Sequence, residues 1–315
     1  MKKRAKLRIK SLPRFITFSL ISLAVIFIFG MLSVTLVTNV VSAISTQTEK
    51  AQASAALVET AQNATADTAA IAAQADAMVA PNDEDKQTVT DDTAASDDPL
   101  ECTKKRLRNN DTEGLKVVFL TFDDGPSEHT GEVLDILNTY NVKATFFTNR
   151  HDGEVAEAAY RRIVNEGHTL ANHTSSHNYD LYNNPDAFYS DVQALDQYQR
   201  QITGLTETSH IFRFPGGSTN ANETCVSGMV KRGWNYADWN VSSGDGGSDP
   251  PGADGVTQNI VGGCHEHDVS VVLCHAESKS GTLAALPTVI KTLQDEGYTF
   301  LPMEKDYTYP RHLEV

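Results

Sequence analysis

Lys116-Val117-Val118-Phe119-Leu120-Thr121-Phe122-Asp123-Asp124-Gly125-Pro126 is an apolar, β-rich run that stops on two adjacent carboxylates and a Gly-Pro turn. Working outward from it, strand-like and helix-like stretches alternate. Residues 131–140 repeat apolar side chains at helical spacing (Val133, Leu134, Leu137), 143–147 reads as a strand, and 154–165 as a helix stopped at Gly167. Residues 168–171 form a short strand pattern, and 186–203 carry a helical stripe of Phe188, Val192, Leu195, Tyr198 and Ile202. Further strands are expected at 211–214, 235–241 and 269–274, then a helix at 283–296 and a strand at 299–301. This alternation predicts an α/β fold whose sheet is mostly parallel with helical crossovers. About seven such units in roughly 200 residues suit a small or incomplete α/β barrel, with a doubly wound open sheet as the alternative.

Five blocks carry chemistry, each at or just after a predicted strand, the end of the sheet where α/β folds place their sites. Asp123 and Asp124 come first. In extended backbone neighbouring side chains point to opposite sides, so one carboxylate could bind a cation while the other faces a reacting water. The bland alternative is a turn that merely suits Asp-Gly. His173-Thr174-Ser175-Ser176-His177 spaces two imidazoles four apart, which converges both rings on one point in a helix or a tight loop. Imidazole plus carboxylate suits a divalent Zn²⁺, Co²⁺ or Ni²⁺ rather than Ca²⁺ or Mg²⁺. Arg213-Phe214-Pro215-Gly216-Gly217 offers a strand arginine that needs a carboxylate partner if buried, with Asp123 the candidate. Gly216, without a side chain, could bring its N–H close to a developing oxyanion. Trp239-Asn240-Val241 runs on to Asp245, and Leu273-Cys274-His275 ends an apolar strand. His275 is a candidate general acid, with Asp245 able to hold its ring and raise its pKa. Tyr179, Tyr182 and Trp234 are either sugar-stacking surfaces or core.

The rest of the 315-residue chain sets the context. Its first 41 residues hold seven Lys/Arg and no acid, and no charge interrupts 15–41. That run is long enough to span a bilayer, with the basic flank 1–14 kept in the cytoplasm and the remainder exported. A cleaved leader with Val41-Ser42-Ala43 as its processing site is the competing reading, although a leader's apolar core is shorter. Residues 42–110 lack Gly and aromatics and are rich in Ala, Thr, Gln, Ser and Asp, the composition of a stalk rather than a core. The formal net charge is −15, and from 111 to 315 there are 29 Asp/Glu against 13 Lys/Arg. So acidic a domain argues against nucleic acid as a partner. Cys102, Cys225, Cys264 and Cys274 allow three complete pairings, a Cys225–Cys264 bridge among them, and Cys274 reads as a buried strand residue. The cluster Cys264-His265-Glu266-His267 matches no structural zinc spacing and reads as a polar loop.

The five blocks, in this order, resemble the NodB-homology polysaccharide deacetylases, carbohydrate esterase family 4. The likeness spans about residues 112–303; TFDDGP stands intact at 121–126 and H-S/T-x-x-H at 173–177. The resemblance implies a distorted (β/α)7 barrel over 111–315. It implies that Asp124, His173 and His177 bind a metal, that Asp123 is the base oriented by Arg213, and that His275 is the acid supported by Asp245. Leu273 would line the acetyl pocket. Two blocks depart from the family pattern. Phe214-Pro215-Gly216 replaces a Pro-Pro-Tyr wall, and Ser242-Ser243-Gly244-Asp245-Gly246 keeps only the second aspartate of Asp-x-x-Asp-Trp. The expected protein is a membrane-anchored, extracellular, metal-dependent N-deacetylase of a polysaccharide. Peptidoglycan N-acetylglucosamine is the foremost substrate; muramic acid, poly-N-acetylglucosamine, chitin or acetylxylan are alternatives. A carbohydrate-binding protein on the same fold is the reading from another class.

Overall fold

The computed structural model describes residues 98–275 and 280–315. Among the described residues seven α-helices and eight strands largely alternate as expected, with one added helix at the start. The order is α1 (Pro99–Arg108), β1 (Val117–Gly125), α2 (Thr130–Thr139), β2 (Thr145–Thr148), α3 (Glu154–Asn165), β3 (Thr169–Asn172) and α4 (Pro185–Thr203). It continues with β4 (Ile211–Phe212), α5 (Glu223–Lys231), β5 (Asn235–Tyr236), β6 (Val241–Ser242), α6 (Ala253–Cys264), β7 (Val269–His275), α7 (Ser280–Asp295) and β8 (Thr299–Phe300). The expected basic tail, the expected anchor at 15–41 and the expected stalk up to residue 97 lie outside the described residues. Among the described residues no helix is long and apolar enough to cross a membrane.

Helix α1 occupies the end of the stretch that composition assigns to the stalk. Asp98 caps it by accepting from Leu100 N, and Pro99 starts it where a missing N–H costs nothing. Only Leu107 is buried, so the helix carries no apolar stripe for a sequence reading to detect. Arg108 ties it to Glu304 and Asp306 near the other end of the fold.

Every strand pairing is parallel, in the order β5-β4-β3-β2-β1-β7-β6, with β8 beside the first residues of β1. The path must curl. Six steps of about 4.8 Å would set β5 and β6 roughly 29 Å apart in a flat sheet. Residues 237–240 alone join them, a reach of at most about 18 Å. The result is a curled parallel half-barrel with a seam between β5 and β6 that no ladder closes among the described residues. The expected strand at 235–241 is therefore two short strands on opposite sides of that seam.

Strand β1 shows why the sequence curls the sheet around itself. Val118, Leu120 and Phe122 face outward onto Leu134, Ile260, Leu286 and Ile290 of the surrounding helices. Val117 and Phe119 face inward, among Phe147, Ala171, Ile211, Ala237 and Val271 from other strands and the seam. Both faces are apolar, so the strand is a continuous hydrophobic run rather than an alternating one. Burying each of its phenylalanines contributes about 1.5–3 kcal/mol. The inward series 117, 119 continues to Thr121 and Asp123, and this period of two delivers a carboxylate to the mouth of the half-barrel.

All four cysteines are free thiols, Cys102 exposed and the other three buried. Cys225 and Cys264 fall in different core clusters, which removes the bridge considered above.

Candidate active site

At the end of β1 the pleat breaks. Asp124 has φ +66°, and the β1–β2 register shifts between Asp123 and Gly125. The expectation that the two carboxylates point to opposite sides fails here. This left-handed residue turns Asp124 back, so both acids line one cleft of about 620 Å³.

Asp123 is 3 % exposed and Arg213 fully buried. Arg213 Nη1 donates to Asp123 Oδ1 (2.8 Å) and to Thr121 Oγ1 (2.7 Å). Its Nε and Nη2 donate to Ala237 O and Asp238 O, both at 3.0 Å, and the guanidinium lies 4.1 Å from the Phe147 ring centre. With four of its five N–H donors engaged, the arginine holds Asp123 and ties it to the seam. Burial raises the Asp123 pKa, and the Arg213 charge and hydrogen bond offset only part of that.

His173 and His177 sit on a loop after β3, not on a helix. Thr174 and His177 have φ +69° and +50°. Asn149 Nδ2 donates to the carbonyls of His173 and Thr174, and Asp191 Oδ2 accepts from the N–H groups of Ser175 and Ser176. His173 Nδ1 lies 2.8 Å from Arg213 O. A carbonyl only accepts, so Nδ1 carries the proton and Nε2 presents its lone pair. Burial drives the His173 pKa down to about 3, against the raising charge of Asp124, which keeps the ring neutral.

Asp124 Oδ1 is buried and has no hydrogen-bond partner. His177 Nε2 stands 3.3 Å from it and His173 Nε2 3.5 Å. One ligand atom from each of the three residues lies within 4.8 Å of the others, the one such His/Cys/Asp/Glu group among the described residues. Converging acceptors of this kind repel unless a cation lies between them, so the donor set fits a divalent metal. The 264–267 cluster forms no such group; His265 Nε2 pairs with Glu296 at 2.6 Å.

His275 closes the opposite wall. The parallel β1–β7 register sets it beside Asp123. Its Nδ1 lies 2.7 Å from Asp245 Oδ1, and its backbone N–H donates to Asp245 Oδ2 (2.9 Å). Nε2 faces the cleft, 4.0 Å from Asp124 Oδ2. Burial pushes the His275 pKa down, but the Asp245 hydrogen bond and the charges of Asp123, Asp245 and Asp124 outweigh it, and the net shift is upward. Asp245 is itself net lowered: burial raises it, while its bonds from His275 and Thr282 prevail.

Gly216 and Leu273 both line the cleft. Gly216 has φ +71°, and a Cβ there would stand 3.0 Å from Tyr179 and closer still to Asn220. Of the three candidate stacking aromatics, only Tyr179, 48 % exposed, borders the cleft. Tyr182 is buried with its hydroxyl on Pro215 O, and Trp234 packs on Phe212 and His210. Trp239 lines the cleft in their place. Sequence reasoning also missed Thr121, Asn149, Asp191 and Thr282, which hold the site residues from behind. Thr121 stands inside the 121–126 motif with no role read for it, and Asn149, Asp191 and Thr282 are single polar residues in a loop and two helices that carry no spacing signal. Asp238, the alternative match for the fourth block, turns away to accept from Ser218 N and His312 N.

Comparison with known proteins gives this arrangement its family. The polysaccharide deacetylase family profile matches residues 110–234. The catalytic domain of a peptidoglycan N-acetylglucosamine deacetylase from Eubacterium rectale is 37% identical, covers 64% of this chain and 94% of its own, and superposes with a TM-score of 0.59. The chain belongs to the polysaccharide deacetylase family. A Streptococcus mutans carbohydrate esterase family 4 enzyme is 31% identical, covering 64% of this chain and 89% of its own, with a TM-score of 0.56. A peptidoglycan N-acetylglucosamine deacetylase of Bacillus cereus is 29% identical over 69% of this chain and 80% of its own length. As a polysaccharide deacetylase of carbohydrate esterase family 4, the protein is a hydrolase of amide bonds.

Proposed function

We propose that the protein removes N-acetyl groups from an extracellular polysaccharide, foremost the N-acetylglucosamine of peptidoglycan, using Zn²⁺ held by Asp124, His173 and His177. The observation that carries this is the unpartnered Asp124 Oδ1 between two imidazole nitrogens, flanked by Asp123 on one side and His275 on the other. Relatives named as peptidoglycan N-acetylglucosamine deacetylases support the substrate. The metal, when bound, supplies Lewis-acid polarisation of the amide carbonyl and eases deprotonation of water.

The chain's own residues do the rest. Arg213 occupies Asp123 Oδ1, so Oδ2 is the oxygen left to take a proton from the attacking water. The Gly216 N–H donates to the oxyanion that develops on the acetyl carbonyl, and Leu273 packs against the acetyl methyl. Asp245 orients His275 through Nδ1, and Nε2 hands its proton to the leaving amine as the C–N bond breaks. Water and amide become acetate and a glucosamine-type amine. The run at 15–41 anchors the chain in the membrane and residues 42–97 carry the domain outward.

Acetate release by the full-length chain from peptidoglycan and N-acetylated chito-oligomers, with and without chelator, tests the proposal. Release that chelator abolishes and Zn²⁺ restores is expected. No release from any polymer by zinc-replete protein points to a carbohydrate-binding protein instead.

The departure at 246 has a geometric reason. A Cβ on Gly246 would stand 2.5 Å from His275 Cε1 and 3.1 Å from Nε2. On this backbone a side chain at 246 requires the His275 ring or the loop itself to shift. Gly246→Ala should lower kcat by roughly a hundredfold, the scale of a misplacement of about 1 Å. Zinc uptake, measured by calorimetric titration, should be unchanged. Full activity in this variant would remove His275 from the role of acid.

A further inference from the structure

We propose that Thr282, in the first turn of α7, is a positioning residue that fixes the Asp245 carboxylate and through it the ring of His275. This rests on the reading of His275 as the acid. Asp245 Oδ2 accepts from two donors, His275 N at 2.9 Å and Thr282 Oγ1 at 2.7 Å. Oδ1 is thereby left to the ring nitrogen alone. Without the hydroxyl, the carboxylate would have His275 as its one remaining side-chain or backbone partner of those three bonds. It could then rotate and exchange its oxygens between the ring and the backbone N–H.

Two further features give the hydroxyl this task. Thr282 is 2 % exposed, and its branched Cβ restricts the rotamer that aims Oγ1 at Asp245. The turn that carries it is seated on the loop before α6: a Cβ on Gly281 would lie 2.7 Å from Pro251 O, so helix and loop are in close contact. Beyond Asp245 lies a cavity of about 350 Å³ lined by Pro250, Pro251, Ser280 and Thr282. That volume gives a released carboxylate room to swing away from His275. Gly246 confines the ring from its other side. The acid is thus held between the closely approaching Gly246 backbone and a carboxylate that a hydroxyl locks.

The test compares Thr282→Val, which keeps the branched shape, Thr282→Ala and Thr282→Ser in the full-length, zinc-loaded chain. Two readouts are taken: kcat and KM for acetate release, and the ¹H–¹⁵N NMR signals of the ¹⁵N-labelled histidine rings. Val and Ala should each lower kcat about tenfold, the lower end of what loss of an orienting partner costs. KM should stay within about twofold. The Nδ1–H signal of His275, assigned by its loss in His275→Gln, should move or broaden. Ser should restore both readouts. Wild-type kcat and an unmoved signal in Val and Ala would overturn the proposal. So would a Ser variant as impaired as Ala. If the unmodified chain releases no acetate, the functional reading fails while the ring signals still report whether Thr282 fixes the Asp245–His275 pair.

Discussion

Asp123→Asn is expected to all but end acetate release while leaving the proposed zinc binding in place. The substitution keeps the shape of the side chain and its acceptor toward Arg213 Nη1, but removes the group able to take a proton from water. General-base catalysis contributes about 10²–10⁴-fold, so kcat should fall by about a thousandfold. Zinc affinity should change little, because the three converging ligand atoms belong to Asp124, His173 and His177. Stopped-time acetate assays and calorimetric titration with Zn²⁺ read the two quantities separately. A variant that loses its metal together with turnover would show that the two aspartates share the ligand role.

The second large effect is on stability. Arg213→Leu strands the Asp123 carboxylate in a buried site and also removes the donors to Thr121, Ala237 and Asp238. Removing one partner of a buried ion pair costs about 3–5 kcal/mol, much of it the penalty of the charge left behind. Urea unfolding should show a lower midpoint with an unchanged slope. Asp123→Asn/Arg213→Leu should be more stable than Arg213→Leu alone, since the orphaned charge is gone. Additive losses in the double variant would mean that Arg213 stabilises by packing on Phe147 rather than by neutralising Asp123.

The fold was legible wherever periodicity was strong. The helix expected at 154–165 is α3 to the residue, and the stripe from Phe188 to Ile202 is the buried side of α4. Legibility failed where tertiary context overrode local pattern. α1 is polar apart from Leu107 and is fastened by ion pairs that lie about 200 residues away in the chain, which no local window can see. Asn235 to Val241 looks like one strand because its residues suit β-structure, yet the curl of the sheet requires the chain to cross the seam there. The site behaved similarly. Its converging residues could be named from motif and spacing. That both aspartates face one cleft depends on the left-handed backbone at Asp124, which a period-two argument predicts wrongly. Thr282 and Asn149 carry no pattern at all; only their distances reveal them.

The seam between β5 and β6 also bears on how the protein matures. Asp238, whose carbonyl receives Arg213, is itself braced by a segment some seventy residues further along: its N–H donates to Pro310 O and its carboxylate accepts from His312 N. Leu313 N reaches Ser218 Oγ beside the Gly216 loop. Contacts so distant in sequence form slowly. On a ribosome the aspartate–arginine pair therefore lacks its final support until residues 310–313 have emerged, and a nascent chain halted before residue 310 carries every motif of the enzyme without its finished geometry.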